Sequence, residues 1–406
     1  MPGPLAGLKV IELCHVMAGP TCGLMLADMG ADVIKLEKVP GGDDTRRMIP
    51  PKIGEETAAF LMMNRNKRGI AVDLKQEAGK RVLWRLLETA DVVTENYRRG
   101  FMERMGFGYA ALHRHNKRLI YCAVSGFGRT GPYADRGGYD LVAQGMSGLM
   151  SVTGEGPGRP PVKVGAPVAD ITAGILAAMG ILAALEARRR TGDGQMVDTS
   201  LFEAAIVHTY WQSAIALATG VAPGPMGSAH PLNAPYQAFA TTDGWITVGA
   251  ANQTNWLRLL DMLDSASLRA DERFATGAGR MRHLPDLEAA LNVEFRKRST
   301  AEWLDLLERA GIPAGPVLDV IQMHANEQTR ARAMVVETEH STLGKVETIG
   351  LPVKFSATPG AIARGAPVYG QHTREVLREY GYADAEIDAL ARAGAVHLGE
   401  AKVAAE

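Results

Sequence analysis

Along the first third of the chain, short apolar runs alternate with longer segments in which apolar residues recur every three or four positions. "LKVIEL" (8–13), "DVIKLE" (32–37), "GIAVDL" (69–74), "DVVTEN" (91–96) and "LIYCAVSG" (119–126) read as strands. Between them "GPTCGLMLADMGA", "GKRVLWRLLETA" (79–90) and "FMERMGFGYAALHRHN" have helical spacing. Strands alternating with helices predict parallel βαβ units, hence an α/β fold with an open, doubly wound parallel sheet of Rossmann-like type. Ligands of such sheets bind beyond the carboxyl ends of the strands. That rule gathers His15 to Ala18, Glu37 and Lys38, Asp73 to Lys75, Asn96 to Arg98, and Ser125 into one region.

Further on, Asp170 is the only acid between Val164 and Leu185. A helix is expected over 171–190, closing in "EARRRTGDG", with basic residues in its last turn and Gly192 as its stop. Gly174 with Ala178, and Gly180 with Ala184, place small residues four apart, which permits close helix packing. The apolar run 171–185 is short for a membrane span and reads as a buried helix. "QMVDTSLFEAAIVHTYWQSAIALATG" (195–220) reads as another helix. "GVAPGPMGSAHPLNAP" (220–235) reads as a linker, and a hairpin should turn at Asp243-Gly244. Two amphipathic helices follow, one of them over 300–311. The pattern divides the chain into a large domain, 1–219 plus 331–406, and a smaller α+β domain, 220–330.

The formal net charge of -1 over 406 residues gives no electrostatic reason to bind nucleic acid or an anionic membrane. Three cysteines without a repeated spacing argue for a reducing compartment, and no basic region precedes an apolar core at the N-terminus. A cytoplasmic location is the expectation. The loop "CHVMAGPTCG" lacks G-x-G-x-x-G, and the P-loop, H-E-x-x-H and G-x-S-x-G patterns are absent as well. Basic clusters at 64–69 ("NRNKRG") and 95–106 ("ENYRRGFMERMG") read either as solvated surface or as a phosphate site, where arginine suits bidentate contacts. Asp170 itself reads either as the helix N-cap or as a desolvated nucleophile among small apolar neighbours.

A series of segments, in order and spacing, resembles the class III CoA-transferase family over nearly the whole chain. They are "HVMAGP" (15–20), "MGADVIKLE" (29–37), "GDDTR" (42–46), "NRNKRGIAVDLK" (64–75), "DVVTENYRRG" (91–100), "MGFGY" (105–109), "SGFGRTGP" (125–132), "GYDLVAQGMSGLM" (138–150), "GILAAL" (180–185) and "TGDGQMVDTSL" (191–201). The resemblance implies a catalytic aspartate at Asp170, which attacks an acyl-CoA thioester to give a mixed anhydride and then an aspartyl-CoA thioester. It implies CoA contacts at His15, Val16, Met17, Ala18, Lys38, Val72, Asp73, Leu74, Lys75, Asn96, Tyr97, Arg98 and Arg104, and places Tyr139 and Asp140 toward the thioester. Coenzyme A enters as a thioester substrate; no tightly bound cofactor and no metal are implied. The family also implies an interlocked homodimer in which each chain threads the other.

Two departures bear on specificity. Met17 stands where formyl-CoA transferase has glutamine, and the small-domain loop reads "GAANQ" (249–253) rather than a glycine run. The segment "GSAHPLNAPYQAF" (227–239) resembles transferases that use succinyl-CoA and C5-type dicarboxylates, which with these departures implies succinyl-CoA and a dicarboxylate acceptor; His230, Asn252 and Gln253 read either as lid donors for the second carboxylate or as solvent-exposed loop residues. The alternatives are a 2-methylacyl-CoA racemase of the same fold, whose histidine falls where this chain has Tyr139, and a non-catalytic CoA-binding protein.

Overall fold

The computed structural model describes residues 2–399. Its main sheet is built from β1 (Lys9–Glu12), β2 (Asp32–Lys38), β5 (Arg68–Val72), β6 (Val92–Glu95), β7 (Ile120–Ser125) and β8 (Met196–Ser200); a two-residue hairpin, β3 (Lys52–Ile53) and β4 (Glu56–Thr57), lies outside it. The six strands are parallel in the order β5-β2-β1-β6-β7-β8, and β14 (Val396–His397) pairs antiparallel on the edge of β5. Chain order therefore reverses between β1 and β6, and the carboxyl ends of those strands flank the crevice where such folds bind ligands.

Helices cover both faces, which explains the nearly continuous burial of the strands. One face carries α3 (Glu77–Leu87), whose Val82, Leu83, Leu86 and Leu87 pack against Ile11, Ile70 and Val93. The other carries α1 (Ala18–Asp28) and α7 (Val168–Thr191) around Val10, Val33, Ile120 and Val124. Ala173, Ala177, Ile181 and Ala184 of α7 are buried, so this 24-residue helix belongs to the core along one stripe. It is longer than the apolar run suggested, long and apolar enough by length and composition to cross a membrane. Gly192 ends it in left-handed backbone, φ 80°.

Three expectations fail locally. The helix read over "FMERMGFGYAALHRHN" is two short helices, α4 (Phe101–Arg104) and α5 (Tyr109–His115), because Gly106 adopts φ 92° between them. The helix read from 195 opens instead with strand β8. Ser200 then accepts from the Glu203 N–H to start α8 (Leu201–Ile206), and α9 (Tyr210–Thr219) follows. The alternating β-branched residues of "MVDTS" carried that strand. The third concerns "NRNKRG", which is neither solvated nor a phosphate site. Arg65 pairs with Asp28 at 2.6 Å, Lys67 with Glu12 at 2.9 Å, and Arg68 with Asp32 at 2.6 Å, all three cations being buried.

The chain forms two compact units, the first comprising residues up to 147, 164–208 and 327 onward, the second 148–163 and 209–326. The division thus falls at 208/209 rather than 219/220, and 148–163 joins the second unit. That unit has a three-stranded antiparallel sheet of β9 (Tyr236–Ala240), β10 (Trp245–Gly249) and β11 (Ala314–Pro316). Phe239, Trp256, Phe295 and Trp303 lie in its core, which five helices between 253 and 309 surround where two were expected.

Candidate active site

The loop from β1 into α1 is fixed at each residue. The His15 N–H donates to Asn96 Oδ1 at 2.9 Å, and Asn96 Nδ2 donates to the His15 carbonyl at 2.8 Å. Asn96, at the end of β6, thus mimics one more strand residue across the crevice. The His15 ring meets the Tyr97 hydroxyl through Nε2 at 2.9 Å. Burial, then the Lys35 ammonium, push His15 below its ordinary pKa, so the imidazole is neutral at pH 7. Val16 takes φ 67°, and its N–H donates to Asp43 Oδ1 at 3.2 Å. Behind this loop, a Cβ at Gly19 would lie 2.3 Å from Cys14 Sγ, so only glycine lets α1 begin there.

Glu95 fixes the neighbouring loop. Its carboxylate accepts from the Tyr97 N–H at 2.8 Å, from the Tyr121 hydroxyl at 3.0 Å and from Arg129 at 3.0 Å. Burial pushes Glu95 up to about 7 against these donors.

Asp170 reaches the same region because α7 crosses α1 closely. A Cβ at Gly174 would meet the Ala18 carbonyl oxygen at 2.5 Å, so the two backbones touch where the small-residue spacing allowed it. Asp170 is not the cap of its helix. Pro167 occupies that position, Asp170 sits in the first turn, and the Ala169 N–H is satisfied by Asp140 Oδ1 at 2.8 Å from α6 (Asp140–Met146). Among the described residues no hydrogen bond or ion pair reaches the Asp170 carboxylate. Burial first, and the neighbouring Asp140 charge second, push it up to about 6. Asp170 therefore does not serve as the cap, and a desolvated acid with no partner among the described residues is a candidate for chemistry.

Asp170 faces a cavity of about 770 Å³. His15 to Ala18, Lys38, Val72 to Lys75, Asn96 to Arg98 and Tyr139 line it as well. Arg104 and Asp140 do not. Arg104 is exposed on α4, and Asp140 is spent on Ala169 and on Gln144, whose Nε2 donates to it at 2.7 Å. Arg99, Arg136 and Gly126 line the cavity without having been singled out, beside Ser125 at the end of β7, which the strand-end rule had gathered. Arg99 stood beside Arg98 in a basic cluster; Arg136 gave no signal in the sequence. Lys38, Lys75, Arg98, Arg99 and Arg136 leave the wall cationic despite Asp44 and Asp73, an environment that suits a phosphorylated ligand. Near the thioester position implied for Tyr139, Gly126 and Gly138 touch backbone to backbone: a Cβ on Gly138 would lie 2.5 Å from the Gly126 Cα.

The expected lid residues have partners in their own unit. Asn252 caps α10 (Gln253–Leu263) by accepting from the Asn255 N–H at 2.8 Å. Gln253 donates to the Ala275 carbonyl at 2.9 Å and accepts from Arg280 at 3.0 Å, so its amide is fully engaged. His230 Nδ1 accepts from the Leu232 N–H at 3.1 Å.

A family model described as CoA-transferase family III matches residues 5–373. A succinate–glutarate CoA-transferase of Agrobacterium fabrum is 40% identical over 382 residues, 93% of this chain and 95% of the relative. A human succinyl-CoA:glutarate CoA-transferase is 37% identical over 398 residues, 98% of this chain and 91% of the relative. The crystal structure of a CAIB/BAIF family protein from Brucella suis superposes with a TM-score of 0.84 at 38% identity, covering 94% of this chain and all of that one.

Proposed function

The chain belongs to CoA-transferase family III, and from that premise we propose that it moves CoA from succinyl-CoA to a dicarboxylate through covalent intermediates on Asp170. The unpaired, half-buried Asp170 carboxylate, aimed into a cation-walled cavity, carries the proposal.

A carboxylate oxygen of Asp170 attacks the thioester carbonyl, and the C–S bond breaks to leave a mixed anhydride and CoA thiolate. The thiolate attacks the aspartyl carbonyl and releases the donor as its carboxylate, leaving aspartyl-CoA. An acceptor carboxylate then attacks that thioester, expels the thiolate and forms the second anhydride. The thiolate attacks the acceptor's acyl carbon and regenerates Asp170. Each step exchanges a thioester for an anhydride or the reverse, so the activation of the acyl group is conserved, and one difficult exchange is divided into easier ones. A raised pKa makes Asp170 a better nucleophile than an ordinary carboxylate while leaving it largely ionised at pH 7.

The CoA phosphates fall to Lys38, Lys75, Arg98, Arg99 and Arg136, while the first loop, Val72 to Leu74 and Tyr97 supply the contacts of the remaining chain. Arg104, exposed and outside the lining, is a weaker choice than the resemblance implied. The dicarboxylate reading rests on the succinyl-CoA and glutarate names of the relatives above and on the "GSAHPLNAPYQAF" segment. Of the three residues read as lid donors, Gln253 is the weakest choice, because its amide is engaged on both sides.

We also propose the interlocked homodimer. Ile175, Met179 and Leu182 of α7, with Leu141, Val142 and Met146 of α6, present apolar side chains outward, which a second copy would cover.

The test is a panel of CoA donors and acids read by mass spectrometry. Succinyl-CoA with glutarate or a similar dicarboxylate should outpace butyryl-CoA, since an unmatched buried donor costs roughly 1–3 kcal/mol. Equal rates for butyryl-CoA would remove the dicarboxylate reading. Absence of any CoA exchange across the panel would remove the transferase mechanism.

A further inference from the structure

Four charged side chains lie wholly buried beneath the first loop: Glu12, Lys35, Asp43 and Lys67. They form a chain. Lys67 meets Glu12 at 2.9 Å, Glu12 meets Lys35 at 3.0 Å, and Lys35 meets Asp43 at 2.8 Å. Two positive and two negative groups sum to zero, so the cluster is electrically closed. Burying four charges is nevertheless an expensive way to stabilise a core, and apolar residues of equal volume usually do as well. The cluster therefore calls for another explanation.

Its geometry points to the loop above it. Lys35 Nζ donates to the Cys14 carbonyl at 2.9 Å, the last backbone acceptor before His15. Asp43 Oδ1 accepts from the Val16 N–H at 3.2 Å, from the Thr45 N–H at 2.9 Å and from the Thr45 hydroxyl at 2.8 Å. The cluster thus grips the chain on either side of His15, whose own backbone Asn96 holds. Between these grips Val16 adopts φ 67°. A β-branched residue in left-handed backbone is strained, and such strain persists only where the surroundings impose it. Glycine would adopt this φ freely, yet a valine side chain stands here and lines the cavity that Asp170 faces.

We infer that the buried Lys35–Asp43 pair is a positioning device that holds Val16 in its strained conformation and so shapes the His15–Ala18 wall of the CoA cavity. Lys35 fixes Asp43 in place through one carboxylate oxygen, and the other oxygen receives Val16. Asp43 touches no substrate in this account and acts only through Val16. The inference rests on the CoA-transferase reading for its activity readout, but the shape of the wall is also read by CoA binding alone.

The test compares wild type, Lys35→Met/Asp43→Ala, Val16→Gly and the triple variant, using CoA affinity by calorimetry and steady-state kinetics. The double variant removes one charge of each sign and leaves Glu12 with Lys67, so the interior stays balanced. We expect its KM for acyl-CoA and its Kd for CoA to rise by about tenfold or more. Val16→Gly alone registers the loss of the valine contact itself, and adding it to the double variant should recover most of the affinity lost beyond that, because glycine needs no clamp. A merely structural cluster would lower stability without that rescue. Wild-type CoA affinity in the double variant, or a folded triple variant showing no recovery, would overturn the inference. If the double variant does not fold, Asp43→Asn with and without Val16→Gly makes the same comparison with a smaller shift. A wild-type protein that binds CoA but transfers none would sink the transferase mechanism and leave the binding comparison intact.

Discussion

Asp170 is held in a position that disfavours its charge. Burial and the nearby Asp140 raise its pKa to about 6, while among the described residues no donor reaches it to offset them. The nucleophile is the carboxylate, so kcat/KM should fall as pH drops through about 6, well above the ordinary carboxylate range. Asp140→Asn keeps an oxygen for the Ala169 N–H but removes the like charge. Its acid limb should therefore move to lower pH in a pH–rate profile; an unmoved limb would mean that Asp140 does not act on Asp170. The same shift fixes a stability effect. With a native pKa above the unfolded one, the native state binds the proton more tightly, so ionisation costs stability as pH rises from about 4 to 6 and the full penalty applies above that. Asp170→Asn should thus be more stable than wild type at pH 8, by about 1 kcal/mol after allowing for partial exposure, and no more stable at pH 4. Thermal unfolding at the two pH values checks this, and an equal effect at both would contradict it.

At the scale of elements, the close crossing of α1 and α7 brings the nucleophile to the cavity. Gly174→Ala would drive a methyl against the Ala18 carbonyl at 2.5 Å and against Thr21. It should cost about 1–3 kcal/mol of stability and displace Asp170 enough to lower kcat by tenfold or more, an effect larger than that on KM. A variant with wild-type kcat would show that the crossing does not set the geometry. The parallel strands and this helix were legible because their patterns are local: uniform apolar runs in strands buried on both faces, and small residues at helical spacing. The strand-end rule likewise gathered His15 to Ala18, Lys38, Asp73 to Lys75, Asn96 to Arg98 and Ser125 of the cavity wall before any contact was known. What stayed hidden depends on distant partners. Lys35, Lys67 and Arg68 look solvated in sequence, and only the fold supplies Asp43, Glu12 and Asp32 to neutralise them. Strand β8 was hidden for another reason: its short alternation was absorbed into the helical periods on either side.

For the whole molecule, the outward apolar residues of α6 and α7 should be covered in solution. Light scattering after size exclusion should give the mass of two chains, and Ile175→Glu with Met179→Glu should break that assembly; a wild-type monomer would contradict the dimer. The central claim, however, is that Asp170 itself enters the transferred bonds. In the proposed cycle the acceptor brings two carboxylate oxygens and leaves one of them on Asp170 when the thiolate attacks the second anhydride. Turnover with an acceptor labelled with heavy oxygen in its carboxylates, in ordinary water, followed by peptide mass analysis, follows that atom. The account predicts one heavy oxygen in the peptide that carries Asp170 after a single turnover, rising to two on repeated turnover, and none elsewhere, with no incorporation in Asp170→Asn. Brisk CoA transfer that leaves this peptide unlabelled would contradict it.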